Sequence, residues 1–298
     1  MTPERRPDGD LDRSPGRDQD RRVDLHAHTT ASDGSLRPTK LVAMAGERGL
    51  AALAVTDHDT TAALDEAAAA AAQHGIELVS GIELNVEHPG RFHLLGYLFD
   101  PNEDRLSHRL TYLQEYRASR NDRMIEKMQA GGLPITLADV IAEAGGGLIG
   151  RPHMALALMR KGIVKSTQEA FDRFLADGGP YHVPKEKVTP EEGIRLIRQA
   201  GGVPVVAHPT TLRLAPDALE AELRKLKDIG LGGIECYYSQ HTPEQQQEFV
   251  DIARRLDLVA TGGSDFHGAS KPHVYLGGVV DGRGVPYAVL EALRAARE

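Results

Sequence analysis

Residues 23–34 read VDLHAHTTASDG and residues 50–60 read LAALAVTDHDT; in each, an apolar, β-favouring run gives way to histidine and aspartate. Between them, PTKLVAMAGERG (38–49) has the apolar period of a helix and closes on Gly49. After them, TAALDEAAAAAAQHG (61–75) closes on Gly75, and the strand-like IELVSGIELNV follows at 76–86. This is βαβα order. It resumes late in the chain, where EEGIRLIRQAGG (191–202) leads into VPVVAHP, ALEAELRKLKDIG (218–230) into GGIECYY, and PEQQQEFVDIARRLD (243–257) into LVATGGSDFHG. Alternation at this spacing predicts an α/β fold with a parallel sheet closed into a barrel.

The middle of the chain has a different texture. Residues 101–188 read as successive helices broken by Gly and Pro, such as RLSHRLTYLQEYRASRNDRMIEKMQAGG (105–132) and PHMALALMRKG (152–162). They are expected to form a helical insertion over the mouth of a barrel built from 21–100 and 189–298. Residues 1–20 are mostly Arg, Asp, Pro and Gly with one Leu, too polar to offset the entropy of ordering, and predict a disordered tail.

Composition narrows the function. The 298 residues are 41% hydrophobic, enough for a full core, yet no stretch has the length and purity of a signal peptide or a membrane span. The cytoplasm is the expected location, without membrane partners. Net charge is −8, which argues against a long basic track for duplex DNA, and the absence of Trp with only six Phe gives little basis for a single-strand track. The single cysteine, Cys236, excludes an intrachain disulfide and reads as a buried small hydrophobe.

Chemistry concentrates where apolar strands run out. His26 and His28 are two apart at the end of the first predicted strand and share a face; Asp33 follows in a Ser-Asp-Gly turn; His58 ends the second strand. Glu83, His93, His208, Asp265 and His267 occupy equivalent predicted positions. Strand ends at one rim of an α/β barrel are where such folds place their active groups. A strand that repeatedly ends in His or carboxylate has no packing rationale, so these nine residues are candidate metal ligands. Imidazole and carboxylate without thiolate suit Mn, Fe or Zn, and the number of donors implies two or three divalent ions, with Glu83 as a bridging carboxylate. Closely spaced divalent ions suit phosphoryl transfer.

Taken together, DLHAHTTASDG, VTDHDT, GIEL, AHP and GGSDFHG resemble, in order and spacing, the motifs of the PHP (polymerase and histidinol phosphatase) superfamily. The resemblance implies a distorted (β/α)7 barrel with three metals. It would assign His26, His28, Glu83 and Asp265 to the first ion, Glu83, His93 and His208 to the second, and Asp33, His58 and His267 to the third.

The stretch 150–185, GRPHMALALMRKGIVKSTQEAFDRFLADGGPYHVPK, is similar to the branch that acts on nucleoside 3',5'-bisphosphates and trims short RNA from the 5' end. That likeness implies removal of a 3'-phosphate to leave a nucleoside 5'-monophosphate. Arg151, before Pro152 at a predicted helix start, is the candidate clamp for the substrate's 5'-phosphate. His153 is a candidate for phosphate binding or for protonating the leaving oxygen, and Lys185, Tyr238 and Ser239 are further candidate substrate contacts. The alternatives are a phosphatase for another small monoester, such as histidinol phosphate, and a non-catalytic metal-binding module of the same fold.

Overall fold

The computed structural model describes residues 21–144, 149–279 and 284–297. The expected tail at 1–20 lies outside the described residues. Seven strands follow one another in space as in sequence: β1 (Arg22–Asp24), β2 (Ala52–Val55), β3 (Glu77–Val86), β4 (Phe92–Tyr97), β5 (Val203–Val206), β6 (Gly233–Tyr238) and β7 (Val259–Gly263). A two-residue strand, β8 (Val285–Pro286), pairs antiparallel with β1. At the other end of β1 the sheet closes on itself, through a parallel bridge between Ala27 and Phe266 and the bond from Asp265 N–H to His26 C=O.

One strand departs from the parallel expectation. β4 is antiparallel to both β3 and β5, whereas the pairs β1/β2, β2/β3, β5/β6 and β6/β7 are parallel. The reason is in the connection: residues 87–91 are too few for a crossover, so the chain must turn straight back. His93 therefore sits at the start of its strand, not its end. Because the strand is reversed, that start lies at the same rim as the other ligands' strand ends.

Two apolar layers follow from strand alternation. Ala52 and Ala54 of β2 belong to a cluster with Val23, Leu25, Val79, Leu95, Tyr97, Val203 and Val205, which fills the barrel; Tyr97 crosses it to donate its hydroxyl to Leu25 C=O at 2.8 Å. Leu53 and Val55 face the other way, into the layer formed with α1 (Pro38–Glu47) and α2 (Leu64–His74). The alanines of α2 that are buried, Ala67, Ala70 and Ala71, let it pack closely in this layer. Helices α7 (Pro190–Gln199), α8 (Pro216–Asp228) and α9 (Pro243–Arg255) follow around the barrel, α7 and α9 started by Thr189 and Thr242, whose hydroxyls accept the exposed N–H three residues on.

Helix α3 (Asp104–Ala130) joins the barrel to the central helices. Its first half contributes Leu106, Leu110 and Leu113 to the outer barrel core; its second half contributes Met124, Ile125 and Met128 to a separate cluster with Val140, Met154, Leu158 and Leu175. That cluster includes α4 (Leu137–Ala144), α5 (Arg151–Arg160) and, through Ala170, α6 (Thr167–Ala170).

Candidate metal centre

All nine candidate ligands converge at one rim of the barrel, with Glu83 in the middle. Its Oε1 lies 2.6 Å from His93 Nδ1 and 2.9 Å from His208 Nε2; its Oε2 lies 3.1 Å from His58 Nδ1, 3.2 Å from His28 Nε2 and 3.5 Å from His26 Nε2. Asp265 Oδ1 stands 3.3 Å from His28 Nε2 and 3.5 Å from His26 Nε2. On the outer side, the half-exposed Asp33 carboxylate reaches His267 Nε2 at 3.2 Å and His58 Nε2 at 3.8 Å.

Ligand atoms close enough to share an ion fall into three overlapping sets: His26, His28 and Asp265; His58, Glu83 and His93; and His28, Asp33, His58 and His267. This grouping differs in detail from the one implied by resemblance. His58 borders two sets, and His208 joins through Glu83.

Polar satisfaction shows that the residues fit divalent cations. His26 Nε2, His28 Nε2 and His58 Nδ1 are buried without a hydrogen bond, although buried imidazole nitrogens ordinarily find a partner. Their lone pairs converge on a space ringed by carboxylate. Electrostatics point the same way. Burial opposes ionisation of Glu83, but His58, His93 and His26 outweigh it and hold its carboxyl well below the usual range. Asp265 is likewise held low against its burial, chiefly by His26 and His28. His28, against its burial, is raised to about 9 by the negative charge of the Asp265 and Glu83 carboxylates, 3.3 and 3.2 Å from its Nε2. Ionised carboxylates ringed by imidazole nitrogens favour positive charge at the centre of the site.

The backbone is strained where ligands are presented. His208 and Asp265 have φ of 25° and 58°, and Asp59, directly after His58, has φ of 53°; non-glycine residues pay for such angles and cluster at functional sites. Asp59 is held by the N–H of Asn85 at 2.9 Å and its side-chain amide at 2.7 Å.

Several residues that shape the site escaped the sequence reading. Glu235, fully buried on β6, accepts from His26 Nδ1 at 2.9 Å and from His208 N–H at 2.7 Å, so it orients two ligands at once. A carboxylate inside the apolar run GGIECYY was the available signal. Asp57 accepts from Thr29 N–H, Thr29 Oγ1 and Ser32 Oγ, pinning the turn that carries Asp33. Lys271 Nζ lies 2.6 Å from Asp265 Oδ2, and nothing local in the sequence marked it.

The candidate substrate contacts divide between two places. Tyr238 donates to Asp265 Oδ2 at 2.9 Å, and Ser239 donates to Ser264 C=O at 2.9 Å, so both hydroxyls are engaged inside the rim. A bulge between β6 and β7 at Cys236 shifts the alternation, which lets Tyr238 and Glu235 both reach ligands although they are three residues apart. Arg151, His153 and Lys185 belong to the helical segment instead. Arg151 Nη1 donates to Leu175 C=O at 2.9 Å and to Asp177 Oδ1 at 2.6 Å. His153 Nδ1 accepts the Gly150 N–H at 3.1 Å and caps α5. The segment reaches the metal rim through α3, where Arg117 Nη2 lies 3.4 Å from Asp59 Oδ2 and Gln114 donates to Asp59 C=O at 3.2 Å.

The PHP domain family matches residues 24–181, more than half of the chain. The chain belongs to the PHP family. A 5'-3' exoribonuclease of Haemophilus influenzae is 35% identical over 251 residues, 83% of this chain and 90% of that protein. A 3',5'-nucleoside bisphosphate phosphatase of Chromobacterium violaceum is 35% identical over 248 residues, 82% of this chain and 87% of its own. Among solved structures, one from Bifidobacterium adolescentis, assigned there to the metal-dependent phosphoesterases, superposes with a TM-score of 0.75 at 33% identity, covering 93% of this chain and 96% of that one. This PHP protein is accordingly an enzyme that hydrolyses phosphate esters. Among its described residues, no helix is long and apolar enough to cross a membrane.

Proposed function

We propose that this enzyme removes the 3'-phosphate of nucleoside 3',5'-bisphosphates, releasing the nucleoside 5'-monophosphate, and cuts the equivalent bond at the 5' end of short RNA. The observation that carries this reading is the contact between α3 and the metal rim. Arg117 touches Asp59, the residue after the candidate ligand His58, and Lys185 shares its electrostatic surroundings with Arg117, Asp59, Arg120 and Arg151. A substrate with one phosphate at the ligand cluster and another a nucleoside's length away would meet cations at its far end. A monoester with a single phosphate would leave them unused. The two relatives at 35% identity support the same choice.

In this reading His26, His28, Asp33, His58, Glu83, His93, His208, Asp265 and His267 would hold two or three divalent ions, Mn, Fe or Zn. Such ions supply Lewis acidity that activates water and offsets charge on the departing oxygen. The protein's own groups position the substrate. Arg151 and Lys185 bind the 5'-phosphate, and His153, whose Nδ1 is occupied by the Gly150 N–H, offers Nε2 to a phosphate or to the leaving oxygen. Tyr238 and Lys271 hold Asp265 in place from the side away from the histidines.

The test is release of phosphate and AMP from adenosine 3',5'-bisphosphate with added Mn²⁺, compared with histidinol phosphate, 5'-AMP and a short 5'-phosphorylated RNA, with His26→Ala as control. AMP production from the bisphosphate that disappears in the variant is expected. Preference for histidinol phosphate or 5'-AMP would overturn the substrate assignment.

A further inference from the structure

Thr211 lies in the one-turn helix Pro209–Leu212 that follows the candidate ligand His208. Its hydroxyl meets Arg91 C=O at 2.7 Å, His208 C=O at 3.0 Å and His208 Nδ1 at 3.0 Å. Two of these partners are carbonyl oxygens, which can only accept. The hydroxyl has one proton, and it goes to a carbonyl, Arg91's being the nearer. What remains toward His208 is an oxygen lone pair, so Nδ1 is the donor of that hydrogen bond. A neutral His208 ring therefore carries its proton on Nδ1 and presents an open lone pair at Nε2. That Nε2 lies 2.9 Å from Glu83 Oε1, and two acceptors facing each other this closely call for a cation that both can touch.

The same hydroxyl reaches a second strand. Arg91 comes two residues before His93, whose Nδ1 lies 2.6 Å from the same Glu83 Oε1. Arg91 N–H in turn donates to Thr211 C=O at 3.2 Å, so Thr211 grips the start of β4 through both its backbone and its side chain. The backbone at His208 needs such support, because its φ of 25° is unfavourable for a non-glycine residue. One hydroxyl thus joins the two imidazoles that flank a single carboxylate oxygen.

Resting on the metal-dependent function proposed above, we infer that Thr211 is a positioning residue for the ion at Glu83 Oε1: it selects the Nδ1–H tautomer of His208 and keeps His93 in register with it. Its influence is confined to this ion, because ligands on the other side of the rim hang on different anchors. His28 Nδ1 faces Ser32 Oγ, itself bonded to Asp57, and His267 Nδ1 faces Asp265 C=O at 2.8 Å. Valine keeps the shape of threonine and removes the acceptor; serine keeps the acceptor.

The experiment uses the full chain loaded with Zn²⁺, which is diamagnetic, and reads two quantities besides turnover. Long-range proton–nitrogen correlation spectra of the histidine-labelled protein, with His208→Asn to assign the ring, show which nitrogen of His208 carries the proton; Nδ1 is expected. Competition with a chelator gives the affinity of each bound equivalent of Zn²⁺. Thr211→Val is expected to weaken one equivalent by roughly 10- to 100-fold and to leave the rest bound as in the parent. Thr211→Ser should recover most of that affinity. Equal weakening of every equivalent, no weakening at all, or the same loss in Thr211→Ser as in Thr211→Val would overturn the inference. If Thr211→Val does not fold, the parent spectrum decides: a proton on Nδ1 supports the inference, and an unprotonated Nδ1 overturns it. A parent chain that shows this metal pattern and does not hydrolyse the bisphosphate would refute the proposed substrate while sustaining the role of Thr211, and one that binds no divalent ion would overturn both.

Discussion

His26 Nδ1 lies 2.9 Å from Glu235 Oε1, and neither side chain is exposed at all. The pairing leaves Nε2 of the same ring as the nitrogen that faces Glu83 and Asp265. Carboxylates in this position fix the tautomer and orientation of a ligating imidazole, and their loss typically costs 10- to 100-fold in metal affinity. Glu235→Gln is therefore expected to weaken divalent metal binding by roughly that factor, read by competition with a chelator of known affinity. Affinity equal to the parent would show that Glu235 is only a packing residue.

Removing metal should be visible in stability as well as in turnover. At the rim, the buried nitrogens His26 Nε2, His28 Nε2 and His58 Nδ1 lack hydrogen bonds, and an ion that binds only the folded chain stabilises it in proportion to the logarithm of its concentration over Kd. Dialysis against a chelator is expected to abolish activity and lower the melting temperature, and added Mn²⁺ should restore both. Identical melting with and without metal would contradict a divalent site at this rim.

Lys185 sets a pH dependence. Although its side chain reaches solvent, the protein around its ammonium, together with Arg117, Arg120 and Arg151, lowers its pKa from 10.5 to about 8, Asp59 opposing. As a phosphate-binding ammonium it is charged below that value and loses its charge above it. The Kd for 5'-AMP should therefore rise as pH increases through about 8, and Lys185→Met should flatten that step. For folding the sign is opposite: the unfolded chain holds this proton more tightly, so between about 8 and 10.5 this residue's contribution makes stability increase with pH. An unchanged pH profile in Lys185→Met would remove it from the site.

Gly263 links the barrel to the ligands. A Cβ there would lie 2.3 Å from both His26 Cβ and His26 N, so β7 can approach β1 only with glycine at this point. Gly263→Ala must push the two strands apart, and overpacking of this kind costs about 1–3 kcal/mol. The expected result is a lower denaturant midpoint together with weaker metal binding, because the displaced residue is itself a candidate ligand. A normal midpoint and normal metal affinity would show that the seam between β1 and β7 is looser than this contact requires.

Much of this molecule was legible in its sequence. VDLHAH, AVTDHD and GGSDFHG announce strands that end in polar groups because apolar runs and ligating residues differ in kind and abut abruptly. Helices such as 38–47 and 64–74 were readable from their period and closing glycines. The direction of β4 was readable in principle as well, since residues 87–91 are too short to cross over, but strand pattern alone is the same in either direction.

What the tertiary structure decided is which polar group meets which. The bulge at Cys236 places Glu235 against His26 and Tyr238 against Asp265, where strict alternation would have put Glu235 and Tyr237 on one face. Arg120 has an ordinary place in an amphipathic helix until Val183, from 63 residues further on, closes over it, and Arg151 meets Asp177 across 26 residues. Residue type and period are local properties, so they reveal strands, helices and donors. Burial and charge pairing are set by segments distant in the chain, and only the folded molecule brings Glu235 to His26 or buries Arg120 Nη2 without a hydrogen bond.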